Sequence, residues 1–325
     1  MKIYLTFDYE LFFGENSGTV LKCMLEPTNL LFELAVNKNV HYTFFVDVGY
    51  LINADNYSEL NSEVNDVKTQ ILKMLALGHS VQLHIHPHWE KATWANGKWK
   101  MNVDGNYKLA DFSAEDRTSI ITRYSSYLER LIGTKVNTFR AGGWCIQPFS
   151  ELMDNFKKIG IVNDSSVIEG GFLQTKNYNV DFTDAPKKSK YCFSEDVCIE
   201  NENGSFTEYP ITSFRYRPSF YWWLYGLGKL FPSKHKMIGD GTFLSQGGRK
   251  WYVLFNYSNH HISTDGYFAK KLNAGLEKSI NLNHEEMVII GHPKGNTNYS
   301  IVKLKKFIDK NALKHEFTSF VNTKP

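Results

Sequence analysis

KIYLTFDYE, Lys2–Glu10, opens the chain and sets the reading of everything after it. Lys2–Phe7 is a short apolar run of β-forming residues. Asp8, Tyr9 and Glu10 follow at once. Such a run, broken by carboxylates, reads as a buried strand with an ionisable end. Val20–Lys38 comes next, with Leu21, Met24, Leu25, Leu30, Leu31, Leu34 and Ala35 at helical spacing and Pro27 starting or kinking the helix. Val40–Val48 is a second strand. Val64–Leu77 has a helical pattern that Gly78 stops, and Ser80–His84 is a third strand. Ser113–Leu131 is a helix with Ser113 and Asp116 in capping positions. Val136–Phe139, Phe149–Lys158 and Ile161–Asn163 continue as strand, helix, strand. Met287–Gly291 and Ser300–Asn311 repeat the unit near the end.

Alternation of this kind predicts βα units and a parallel sheet. The expected class is α/β, a distorted (β/α) barrel with about seven parallel strands, in a single domain over residues 1–325. Insertions are expected at about 91–111 and 168–265. The first carries Asn96-Gly97 and Asp104-Gly105 as hairpin turns. In the second, helical periodicity fades, and strands are expected at Thr207–Ile211 and Trp251–Phe255. Phe214–Gly248 stands out within it as a surface elaboration.

Chemistry in parallel α/β sheets gathers at the carboxyl ends of the strands. Five of the runs above end in ionisable residues: Asp8 and Glu10; His84, His86 and His88; Arg140; Asp164; and His292. His84 and His88 would share one face if the chain left its strand in a helical turn. A carboxylate from the first strand's end would complete a two-histidine, one-carboxylate site. That donor set suits Zn²⁺, and also Co²⁺, Ni²⁺ or Fe²⁺.

The order TFDYE, GHSVQLHIHPH, FRAGGW, NDSS, IIGHP resembles the polysaccharide deacetylases, carbohydrate esterase family 4 with its NodB-homology domain, as a divergent branch of cytoplasmic type. The HYTFFV strand is similar to that family's second strand. The resemblance covers residues 1–165 and 287–325 and leaves the middle third poorly matched. It implies that Asp8 is the general base. The usual second aspartate is Tyr9 here, so the carboxylate ligand implied is Glu10, with His84 and His88 as the other ligands. Ile85 stands where Ser or Thr is usual. His86 is an extra histidine, placed as a loop or substrate contact. Arg140 is implied to pair with Asp8, Asp164 to orient the catalytic histidine or Arg140, and His292 to be the general acid. The Gly143 N–H sits where it could bind an oxyanion.

The activity implied is metal-dependent removal of an N-acetyl group from an amino sugar in a polysaccharide or glycan precursor, such as a capsule or O-antigen unit. Two alternatives stay open: an inactive glycan-binding module on the same scaffold, and hydrolysis of another C–N amide bond.

Composition narrows the partners. The 325 residues carry 37 Lys and Arg against 34 Asp and Glu, a net charge of +3, so no polycationic face invites nucleic acid. Aromatics reach 15%, which suits cores, sugar faces and interfaces alike. Trp89 and Trp144, beside the motif loops, are candidate substrate contacts. Arg215–Phe231, RYRPSFYWWLYGLGKLF, reads first as a buried amphipathic helix, and otherwise as a peripheral membrane contact, a cleft lining or a dimer contact. His260-His261 reads as a surface pair. The carboxylates at 8 and 10 interrupt any secretory leader, and the four scattered cysteines carry no CxxC pair, so a cytoplasmic location is expected.

Overall fold

A nine-stranded sheet organises the computed structural model, which describes residues 1–244 and 249–321. Its strands are β1 (Lys2–Tyr9), β2 (Thr43–Asp47), β3 (Ser80–Ile85), β4 (Thr138–Ala141), β5 (Asn163–Asp164), β6 (Tyr191–Phe193), β7 (Phe206–Glu208), β8 (Glu286–Gly291) and β9 (Glu316–Thr318). They lie in the order β6-β7-β5-β4-β3-β2-β1-β8, with β9 added along the first half of β1. Pairing is parallel throughout except between β6 and β7. Every residue of β2, β3, β4 and β8 is buried, as expected for parallel strands covered on both faces.

The sheet curls. Single parallel bridges, Ile168 to Ile211 and Ile211 to Val288, connect the β5 side to β8 across what would be an open seam. The result is a distorted (β/α) barrel. Helices Glu26–Ala35, Asn61–Ala76, Ala114–Ile132, Met153–Ile159, Leu272–Asn281 and Asn298–Asn311 surround it. Ser113 caps its helix by accepting from the Asp116 N–H at 3.1 Å.

The chain departs from the sequence reading in the insertions. Asn96-Gly97 turns a real hairpin, Thr93–Ala95 on Lys98–Lys100. Asp104-Gly105 makes only a turn, without strands on either side. Trp251–Phe255, expected as a strand, lies in a helix, Arg249–Phe255. Its β-forming residues are overridden because Val253 and Leu254 bury against Phe220 and Tyr221 of the helix Pro218–Leu230. That longer helix is itself not buried: Trp222 and Trp223 are more than half exposed. Residues 245–248, the end of the expected 214–248 elaboration, lie outside the described residues.

Candidate metal and acid–base site

β1 delivers two carboxylates to one face. Successive strand side chains alternate, so Asp8 and Glu10 point one way and Tyr9 the other. Tyr9 is buried and donates its hydroxyl to Gln70 Oε1 at 2.7 Å, far from any ligand role. Glu10 is buried against the end of β3. His84 Nε2 lies 3.0 Å and His86 Nε2 2.8 Å from Glu10 Oε2. One donor atom from each of Glu10, His84 and His86 falls within 4.8 Å of the others, and all three residues are buried. This cluster can coordinate a divalent metal.

The third member is therefore His86, where the sequence reading expected His88. The reason is local. β3 runs to Ile85 and His86 stays extended (φ −108°, ψ 96°), because the following residue, Pro87, disfavours a helical conformation before it. Side chains two apart then share a face. The helical turn that would have paired His84 with His88 begins only at Pro87. His88 instead packs against Phe13 and Tyr107, with ring centroids 4.6 and 5.9 Å away, and neither ring nitrogen has a hydrogen-bond partner among the described residues.

The donor chemistry fits a cation. His84 Nδ1–H donates to the Arg140 carbonyl at 2.7 Å, which leaves Nε2, the nitrogen facing Glu10, as the atom that would bind an ion. His86 is pushed down to about 4 by burial, against the pull of Glu10, and so presents a neutral ring. Burial alone would also lower His84, but Asp8 and Glu10 lift it to about 9. A divalent ion held at Nε2 would take the place of the proton that they favour there. Burial opposes ionisation of Glu10, yet Lys294 and His86 hold its carboxyl well below the usual range. Lys294 is itself buried, with Nζ 2.8 Å from Glu10 Oε1, and was not singled out in the sequence.

Asp8 and His292 stand beside this cluster. Arg140, fully buried, donates from Nη1 to Asp8 Oδ1 at 2.7 Å and to Thr6 Oγ1 at 2.9 Å. Its Nε and Nη2 donate to the carbonyl and hydroxyl oxygens of Ser165. Asp8 Oδ2 is left facing His292 Nε2 at 3.6 Å and His84 Nε2 at 4.0 Å. His292 is oriented by Asp265: the backbone N–H donates to Oδ1 at 2.8 Å, and Nδ1 lies 2.7 Å from Oδ2. Burial alone would lower the His292 pKa, but the Asp265 carboxylate raises it.

Asp265 escaped the sequence reading. It follows the strand Ser258–His261 as other site residues follow theirs, and that strand was unrecognised. Asp164, expected to orient His292 or Arg140, bonds neither. Its oxygens accept from the Ser166 N–H and hydroxyl at 3.0 and 2.8 Å, and Ser166 Oγ in turn accepts from the Ala141 N–H.

A cleft of about 1190 Å³ opens over these groups, with Trp144 and Gly143 on its wall. Gly142 and Gly143 have steric roles. A Cβ on Gly142 would sit 2.6 Å from His86 Nδ1, and Gly143, at φ +57°, comes as close to Tyr107. Trp89 is not a wall residue. It is fully buried, donating from Nε1 to Asp47 Oδ2 at 2.6 Å and packing on Trp99. The expected surface pair also differs: His261 is buried, and both His260 and His261 line the cleft.

No protein-family model matches the chain, and no curated protein does. Solved structures do. A Mycobacterium smegmatis protein described as a polysaccharide deacetylase aligns over 97% of this chain and 85% of its own, at 16% identity and a TM-score of 0.51. A GH57 branching enzyme from Thermococcus kodakaraensis aligns over 98% and 70%, at 8% identity and a TM-score of 0.53. Two enzymes of different printed activity share the architecture, so the scaffold alone does not choose a reaction. With its buried Glu-His-His cluster at the carboxyl edge of the sheet, the chain has the fold of the polysaccharide deacetylases.

Proposed function

We propose that the protein is a metal-dependent hydrolase that removes an N-acetyl group from an amino sugar of a glycan or glycan precursor. The observation that carries this reading is the placement of two oppositely equipped groups about the Glu10–His84–His86 cluster: Asp8 fixed by Arg140, and His292 fixed by Asp265. A divalent ion held by Glu10, His84 and His86 supplies Lewis-acid polarisation of an amide carbonyl and acidification of water.

The chain's own residues do the rest. Asp8 Oδ2, the oxygen Arg140 leaves open, accepts a proton from the water that adds to the carbonyl carbon. The Gly143 N–H, on the cleft wall, is the candidate donor to the oxygen that gains charge. His292, its Nδ1 committed to Asp265, delivers a proton from Nε2 to the amine nitrogen as the C–N bond breaks. Acetate and a free amino sugar leave. Base and acid need opposite protonation near neutrality; the raised pKa of His292 favours its acidic form. Trp144 offers a ring face for a sugar beside this site. The four cysteines are free thiols, the state a reducing compartment maintains, and this favours a cytoplasmic precursor over a finished polymer as substrate.

The test combines metal analysis with acetate release from N-acetylhexosamine oligomers, using chelated and Zn²⁺-reloaded protein. Metal-dependent acetate release supports the proposal. Stoichiometric metal without acetate would redirect it to another amide, and absence of metal binding would leave a glycan-binding module.

A further inference from the structure

Two helices outside the barrel, Pro218–Leu230 and Arg249–Phe255, pack together through Phe220, Tyr221, Val253 and Leu254. They turn their other aromatic residues outward. Trp223 is 57% exposed, and Trp251 and Phe255 are each 67% exposed; Leu230 and Phe231 at the first helix's end are 72% and 56%. The Trp222 and Phe255 rings lie 6.1 Å apart and join the two helices into one face. Large apolar side chains gathered in this way mark a surface with a partner. Neither helix is long and apolar enough to cross a membrane.

Charge identifies the partner. From Phe214 to Tyr257 the sequence holds seven Lys and Arg residues and one acid, Asp240. Asp240 is committed elsewhere, to Thr19. Beside the aromatic face a cavity of about 830 Å³ is lined by Arg215, Arg217, Lys270 and Lys271, together with Trp223 and Tyr257. No carboxylate pairs with these four cations among the described residues. Lys270 bonds only the Tyr267 hydroxyl, Arg215 lies over the Tyr257 ring and Lys271 over the Phe214 ring. Such a cluster is complementary to phosphate, and exposed Trp and Phe beside it suit the boundary between headgroups and acyl chains.

We propose that this face docks on an anionic lipid bilayer, with Trp223, Trp251 and Phe255 seated at headgroup level and the Arg215, Arg217, Lys270 and Lys271 cavity taking lipid phosphates. The cleft over Asp8 and His292 is walled by the same two helices, through Trp222, Tyr225 and Trp251. A glycan tethered to lipid would therefore reach the metal site from the membrane side. That last step rests on the proposed hydrolase reading; the docking does not.

The experiment is co-sedimentation of the full chain with two sets of vesicles, phosphatidylcholine alone and phosphatidylcholine with phosphatidylglycerol in equal parts. Binding is expected to the mixed vesicles only, to weaken with added salt, and to blue-shift the tryptophan emission. Arg217→Gln and Lys271→Gln should each weaken it about fivefold, and Trp223→Ser with Phe255→Ser should abolish the shift.

Equal binding to both vesicle sets, or none to either, overturns the proposal. So does retention of binding in these variants. A dimer in sedimentation velocity that Trp223→Ser dissolves would assign the face to a second copy instead. Because the readout is vesicle binding, docking can fail while acetate release succeeds, and the reverse.

Discussion

His292 Nδ1 lies 2.7 Å from Oδ2 of Asp265, a residue that precedes it by a whole helix and strand in the chain. The pair commits Nδ1 and leaves the other His292 nitrogen, Nε2, 3.6 Å from Asp8. Asp265 is a positioning residue in this arrangement: it sets the tautomer of His292 and favours its charged form.

Removing that carboxylate should move a pH profile in a defined direction. Asp265 raises the His292 pKa, so Asp265→Asn lowers it. The general acid is then lost at lower pH, and the alkaline limb of kcat/KM shifts acidward. A purely structural role for Asp265 would lower activity without displacing that limb. Asp265→Glu should restore part of the displacement.

Asp8→Asn should reduce turnover by at least about 10²-fold, the low end of what general base catalysis contributes. Metal content should be unchanged, since Glu10, His84 and His86 hold the site without Asp8. Measuring acetate release and bound metal on the same preparation checks both halves. Retained turnover would remove Asp8 from the role of base.

The histidines separate cleanly. His86→Ala should weaken metal binding by more than the roughly 10–100-fold that loss of an outer-shell partner costs. His88→Ala should leave stoichiometric binding in place, because its ring is packed among Phe13, Tyr107 and Trp89 outside the cluster. Titration with a divalent metal, read by calorimetry, distinguishes them. The reverse order of effects would restore His88 as the ligand.

Stability should depend on a second acidic pair. Glu208 is buried and held well above its ordinary range by burial and by Asp164, which is raised as well. A carboxyl whose folded pKa is raised contributes stability below its unfolded pKa and loses it as pH rises through the folded value. Melting temperature should therefore fall toward alkaline pH. Glu208→Gln keeps a donor to Asp164 without a titrating proton, so its melting temperature should fall less steeply. Parallel slopes for both proteins would show that this pair does not govern the dependence.

The strand ends were legible from the sequence because a buried parallel strand leaves a simple trace: a short apolar run, then an ionisable residue. Asp8, Glu10, His84, Arg140 and His292 all follow that rule, and the barrel follows from the alternation that contains them. The third cluster member and the acid's partner were harder. Choosing His86 over His88 required knowing that the chain stays extended through the residue before Pro87, a local cue present in the sequence. Finding Asp265 required the strand Ser258–His261, whose polar residues show no apolar run and which pairs with Ser213–Tyr216 across a long separation.

Local sequence thus determined the periodicities, the capped helices and the types of residue offered at the sheet's edge. Only the tertiary structure decided which of those residues meet. Contacts between residues hundreds of positions apart, such as Lys294 with Glu10, arise from the curl of the sheet and leave no local pattern. The same holds for the aromatic residues. Trp89 sits between His88 and Glu90, and Trp223 between Trp222 and Leu224. One is enclosed by the barrel's outer layer and the other is left in solvent, because burial depends on what packs above a residue.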